Sequence, residues 1–165
     1  MSGYYRFPTI NNKKIAFVSD DDLWIVTLDN PTAIRLTTNL SEVSPPLFSP
    51  DGKSIAYIGT EDGNTEIYIM PSSGGPSTRL TYDGCFISKI AAWEKNEIIF
   101  ATDLSQPFRR VSNLAKVNKN GGPTTLLNYG ISSNISFGEK EIVLGRNTSD
   151  PARWKRYKGG TAGEI

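Results

Sequence analysis

The side chains with most to offer a ligand are cationic and fall in two places. Arg109-Arg110 forms one pair, and Arg153, Lys155, Arg156 and Lys158 form a second run. A guanidinium grips a carboxylate through two parallel N–H donors, so these groups together suit the free carboxylate of a peptide. A solvated loop surface, or a contact with acidic groups of another subunit, uses the same residues without a ligand. Asp20-Asp21-Asp22 offers oxygens to calcium but lacks the spaced ligand set of a calcium loop. It reads as a solvated hairpin turn. Histidine is absent, which removes the base of a Ser-His-Asp or Cys-His device and any His-ligated metal site. Cys85 is the single cysteine and reads as a buried structural thiol. Gly159-Gly160 follows no strand-to-helix pattern, so it is no phosphate loop. No motif implies a cofactor or a metal.

The elements that must position these groups come from a repeat. Arg35-Leu36-Thr37 recurs as Arg79-Leu80-Thr81, a spacing of 44 residues from Arg35 to Arg79. Each copy closes a stretch of short strands and turns. A period near this length, built from strands, marks the blades of a β-propeller. The second copy is clearest. Val43 to Phe48 reads as a strand ending in the turn Ser49-Pro50-Asp51-Gly52, and Ser54 to Ile58 follows. Glu61-Asp62-Gly63-Asn64 turns the chain into Glu66 to Met70, and Gly74-Gly75-Pro76 turns it into Ser77 to Thr81. In the first copy Ile15-Ala16-Phe17 and Leu23 to Val26 take the second and third places. In the third, Ile98-Ile99-Phe100 and Leu114 to Val117 do so, with a long link from Asp103 to Val111.

A fourth copy begins at Ile142-Val143-Leu144, carries a long link from Asp150 to Gly160, and has a third strand barely started at Gly163-Glu164-Ile165. The expectation is an all-β chain: a β-propeller of about three and a half four-stranded antiparallel blades, an incomplete ring. Its blades run over residues about 5–38, 43–82, 87–127 and 132–165 of one partial domain, 1–165. A blade has two faces to bury and needs neighbours on both sides, so a piece of a larger protein or a missing partner is expected. Trp24, Trp93 and Tyr68 fall on predicted strands and are expected to pack blades, not to cage a ligand.

Composition narrows the function further. The chain has 165 residues with 18 basic and 17 acidic side chains, a net charge of +1. That balance speaks against a nucleic-acid partner. No segment holds the roughly 20 apolar residues that span a membrane, and Met1 to Thr9 has no signal-peptide core. With one cysteine, the expected compartment is a reducing cytoplasm. The three Asn-x-Ser patterns at Asn39, Asn134 and Asn147 are then chance matches.

The most specific match is in the fourth copy. Leu144-Gly145-Arg146-Asn147-Thr148, followed by Trp154-Lys155-Arg156-Tyr157-Lys158-Gly159-Gly160-Thr161-Ala162-Gly163, strongly resembles the first propeller of tricorn proteases. Ile15 to Ser19 leading into Asp22-Leu23-Trp24, and Thr102 to Phe108, resemble it too. The Ser-Pro-Asp-Gly and Arg-Leu-Thr pieces are shared with TolB-like propellers. The resemblance implies a large cytosolic serine peptidase, hexameric, that cuts oligopeptides released by the proteasome. Its first, six-bladed propeller is not catalytic. It forms a channel to the active-site chamber and helps hold the substrate end. The family's catalytic Ser and His have no counterpart here. A well-studied member carries two arginines near the start of the third blade that favour a peptide carboxylate. Here that stretch is Gly84-Cys85-Phe86, a departure. The rival reading is a non-enzymatic TolB-like module that binds a protein partner.

Overall fold

The computed structural model describes residues 4–38, 43, 45–109 and 111–146. Among these there are strands and no α-helix. Three antiparallel sheets have four strands each in chain order: β1 (Arg6–Asn11), β2 (Lys14–Ser19), β3 (Asp22–Thr27) and β4 (Asn30–Arg35); β5 (Leu47–Phe48), β6 (Ser54–Gly59), β7 (Glu66–Pro71) and β8 (Thr78–Arg79); β9 (Ile87–Glu94), β10 (Glu97–Thr102), β11 (Asn113–Asn118) and β12 (Thr125–Ile131). A two-stranded sheet, β13 (Asn134–Phe137) with β14 (Ile142–Gly145), follows. These sheets are propeller blades, and they do not close into a ring. The start of a third strand expected at Gly163-Glu164-Ile165 lies outside the described residues.

The two central strands of each blade were the most apolar in the sequence, and they pair without a slip. Ser19 faces Asp22 in blade 1, Gly59 faces Glu66 in blade 2, and Thr102 faces Asn113 in blade 3. Blade 1 makes this hairpin with Asp20 and Asp21, both at positive φ (50° and 63°). Aspartate tolerates that geometry, and a two-residue turn with both residues left-handed matches the strand twist.

The flanking strands are shorter in blade 2 than expected. Val43 to Phe48 yields strand only at Leu47–Phe48, because Pro45 and Pro46 have no N–H to give a ladder. Ser77 to Thr81 contracts to Thr78–Arg79. The turn Ser49-Pro50-Asp51-Gly52 is closed by side chains. Ser49 Oγ donates to Asp51 Oδ1 (2.6 Å) and accepts from the Ser54 N–H (2.9 Å), and Asp51 Oδ1 accepts from the Lys53 N–H (3.1 Å). Gly52 adopts φ 66°, a conformation that favours glycine, and a Cβ there would sit 2.6 Å from Asn11 Oδ1 of blade 1 and displace that amide.

The core lies in the seams between blades. Alternation along each strand sends successive side chains to opposite faces. Ala16, Val18, Leu23 and Ile25 of blade 1 pack on Ile55, Tyr57, Tyr68 and Met70 of blade 2. Ala56, Ile58, Ile67 and Leu80 of blade 2 pack on Ile87, Trp93, Ile98 and Phe100 of blade 3. Ile99, Ala101 and Leu114 of blade 3 meet Ile135 and Leu144 of blade 4. Tyr68 and Trp93 are thus seam residues. Trp24, opposite Phe17, lies on the other face of blade 1, which no described blade covers. It is half-buried, its indole N–H donating to Ser19 O at 3.0 Å.

Candidate functional site

Strand neighbours across blades define the axis. β1 abuts β5, β5 abuts β9, and β9 abuts β13, so the first strand of each blade is innermost. Links between second and third strands then gather at one end of the propeller, together with the links from blade to blade. The Asp103 to Val111 connection of blade 3 lies at this end. It is pinned at its base: the Phe86 N–H donates to Asp103 Oδ1 (2.7 Å) and the Asp103 N–H to Phe86 O (3.1 Å). Turns at Gln106 N to Asp103 O (2.8 Å) and Val111 N to Phe108 O (3.2 Å) carry it outward. Arg109 is exposed on it, beside an exposed Phe108. Arg110, Arg153, Lys155 and Arg156 lie outside the described residues, so no geometry joins them to Arg109.

At the same end, blades 1 and 2 are acidic, and their acids are largely spoken for. Asp22 is not the solvated turn residue the acidic run suggested. It is 3% exposed. Its carboxylate takes the Thr37 hydroxyl (2.7 Å) and pairs with the Arg35 guanidinium, while Thr37 Oγ1 accepts the Leu23 N–H (2.9 Å). Blade 2 repeats the device. Glu66, wholly buried, accepts from the Thr81 hydroxyl, from Arg79 (2.9 Å) and from the Gly84 N–H (3.3 Å). Thr81 Oγ1 accepts the Ile67 N–H (2.9 Å), and Arg79 also reaches Asp62 (2.9 Å). The physical reason is the same in both: the fourth strand ends early, and side chains satisfy the backbone and hold the chain as it leaves for the next blade. These arginines and threonines, which revealed the repeat, are structural latches. Asp21 is tied to Arg6 at 2.6 Å.

Cys85 stands where the next blade begins. It is half-exposed, not buried, because the chain at Asp83 to Phe86 runs over the surface at that end. Partial burial pushes the thiol pKa up, and the charges of Asp103, Asp83 and Glu66 add to that. A thiol so placed is a poor nucleophile at neutral pH. No group of three or more potential metal ligands occurs among the described residues. No helix of the described residues is long and apolar enough to cross a membrane.

One inner-strand group carried no sequence signal. Lys89 of β9 lies opposite Ala101, on the blade 4 side, and its ammonium donates to Asn134 Oδ1 at the start of β13. Only the strand register, which the bulges in the β9–β10 ladder alter, brings these two together.

The repeat, the blade topology and the seams have counterparts among known proteins. The family model for the tricorn protease N-terminal β-propeller domain matches residues 2–165. The chain belongs to the tricorn protease family. It is 38% identical over its whole length to a tricorn protease homolog of Saccharolobus solfataricus, of which it spans 16%. It is 37% identical to a putative tricorn-like protease N-terminal subunit of Sulfurisphaera tokodaii, of which it spans 86%. The crystal structure of the tricorn protease superposes on 99% of the chain with a TM-score of 0.85 at 30% identity, the match taking up 17% of that protein. A putative TolB from Agrobacterium tumefaciens shares the fold at a TM-score of 0.67 and 17% identity.

Proposed function

We propose that this tricorn-family propeller gates and guides peptides for a serine peptidase, and performs no chemistry itself. The observation that carries the proposal is the match of the family's N-terminal propeller along residues 2–165. Four innermost strands set around an axis offer the wall of a channel, and the absence of histidine leaves no base for a serine nucleophile. The complete peptidase would cut oligopeptides downstream of the proteasome, in the cytoplasm, as a hexamer. Residues 1–165 would form one partial domain whose remaining ring comes from further blades. Arg109, Arg110, Arg153, Lys155 and Arg156 would line the basic rim of the entrance and draw in a peptide carboxylate. An assay of the purified chain on short peptides tests the non-catalytic role. No turnover is expected, and turnover that survives titration of contaminating active sites would overturn it.

A second reading is favoured by the uncovered face of blade 1, where Tyr5 and Ile10 are more than half exposed. Tyr5, Pro8, Ile15 and Phe17 there surround a cavity of about 310 Å³. A binding module of the TolB type would use such a face for a protein partner. Size-exclusion with light scattering separates the two. A stable monomer with a sharp melting transition would speak against any need for a partner on this face.

A further inference from the structure

Phe7 holds its backbone where an aromatic residue rarely goes. Its φ is 53°, in the left-handed region that a Cβ disfavours. The other described non-glycine residues at positive φ are Asn12, Asp20, Asp21, Lys95 and Ser105, and all of them occupy turns. Phe7 alone among these lies within a strand, where the β1–β2 ladder shifts register and Phe7 and Pro8 together stand opposite Phe17. A bulge of this kind re-aims a side chain. Tyr5, Pro8, Ile15 and Phe17 line the cavity on the uncovered face of blade 1, and Phe7 does not. Nor does it join the seam with blade 2, for it is 43% exposed. Its ring lies instead with that of Tyr4 against the Arg6 guanidinium, each centroid 5.7 Å away, and Asp21 holds Arg6 at 2.6 Å. Two exposed rings thus sit on a fixed cation, on or beside the innermost strand of the blade. Glycine would take this conformation without strain; phenylalanine is strained there and presents a ring.

We propose that Phe7, with Tyr4 beside it, is a subsite on the channel wall that takes a bulky apolar side chain, aromatic above all, from an extended peptide. The proposal rests on the substrate-access reading above and adds to it the kind of side chain that the entrance favours. Aromatic rings pair edge-to-face or offset, and such a pair adds to the gain from removing both surfaces from water. Arg6 is a positioning residue: pinned to Asp21, it holds the two rings without touching the ligand. Asp21 lies in the link between second and third strands, so the subsite is at the same end of the propeller as Arg109. It reads a side chain and is indifferent to the charges at the peptide's ends.

Calorimetric titration of the full chain with two end-blocked peptides, N-acetyl-Ala-Phe-Ala-amide and N-acetyl-Ala-Ala-Ala-amide, tests it. The phenylalanine peptide is expected to bind about tenfold more tightly. Phe7→Tyr is expected to keep that preference. Phe7→Gly and Phe7→Asn are expected to abolish it and to leave the affinity for the alanine peptide as it was. Urea unfolding separates a ligand-binding ring from a structural one. Both of these variants relieve the backbone, so their unfolding midpoints are expected to hold or rise. Equal binding of the two peptides to the wild-type chain, a preference that survives Phe7→Gly, or a midpoint lowered in both variants overturns the subsite and leaves the access role standing. Failure of both peptides to bind at millimolar concentration overturns both.

Discussion

Blade 2 commits two residues to its innermost strand and two to its outermost, whereas blade 3 commits eight and seven. Blade 2 makes up the difference with side chains. At one end Ser49 and Asp51 close the turn, and at the other Glu66, Arg79 and Thr81 hold the departing chain. Blade 3 has Asn113 at the position of Glu66, and its fourth strand runs on to pair Ile131 with Asn113. The backbone ladder does there what side chains do in blade 2. Blade 1 has both a six-residue fourth strand and a latch, but its latch arginine is 46% exposed against 21% in blade 2. A latch therefore matters most where the ladder is shortest.

The largest test of this contrast is Glu66→Ala. It leaves Arg79 and the Thr81 hydroxyl without their buried acceptor, and a loss of about 3–5 kcal/mol in urea unfolding is expected. Asn113→Ala in blade 3 is expected to cost under about 1 kcal/mol, and equal costs would break the comparison. Next comes Thr81→Val, which keeps the shape but orphans the buried Ile67 N–H. About 1–3 kcal/mol is expected, with faster hydrogen exchange at the β7–β8 end than at β11–β12.

Smaller still is the pH response of the blade 2 turn. The Ser49 hydroxyl, and then the Lys53 N–H, hold the Asp51 pKa below its ordinary 3.8. A depressed folded pKa means the contribution is complete above 3.8 and disappears as pH falls through the lowered value. Carboxyl titration by NMR should show a midpoint below 3.8, and Ser49→Ala should bring it back up. The smallest effect is at Cys85. Burial and the nearby acids raise its pKa above 9.0, so alkylation should be slower than that of a free cysteine at pH 8 and keep accelerating above pH 9. A rate equal to the free thiol would place Cys85 outside the field of the blade 2 latch.

The sequence made the central hairpins legible because their strands are apolar, equal in length and joined by turn-forming residues. It overextended the inner strand of blade 2, where Pro45-Pro46 leaves only Leu47–Phe48 in the ladder. It also concealed the latch. Asp22 looked like the last member of a solvated run, yet a signal was there. Asp22 and Glu66 each precede their arginine by 13 residues and their threonine by 15. Reading that spacing across both copies would have separated Asp22 from Asp20 and Asp21. Lys89 and Asn134 gave no such signal. They lie 45 residues apart, and the pair depends on a bulged register that local patterning does not encode. The proposed basic rim rests on sequence alone, since of its five residues only Arg109 falls among those described.

Trp24 has a consequence for how completion of the ring can be watched. Its indole is fixed to Ser19 O and half-buried on the uncovered side of blade 1, while Trp93 is sealed inside a seam. Any sheet that settles on that side strips water from Trp24 and leaves Trp93 as it was. With the third tryptophan replaced, as in Trp154→Phe, a blue shift in the emission of Trp24 would time the arrival of a neighbouring blade without any added dye.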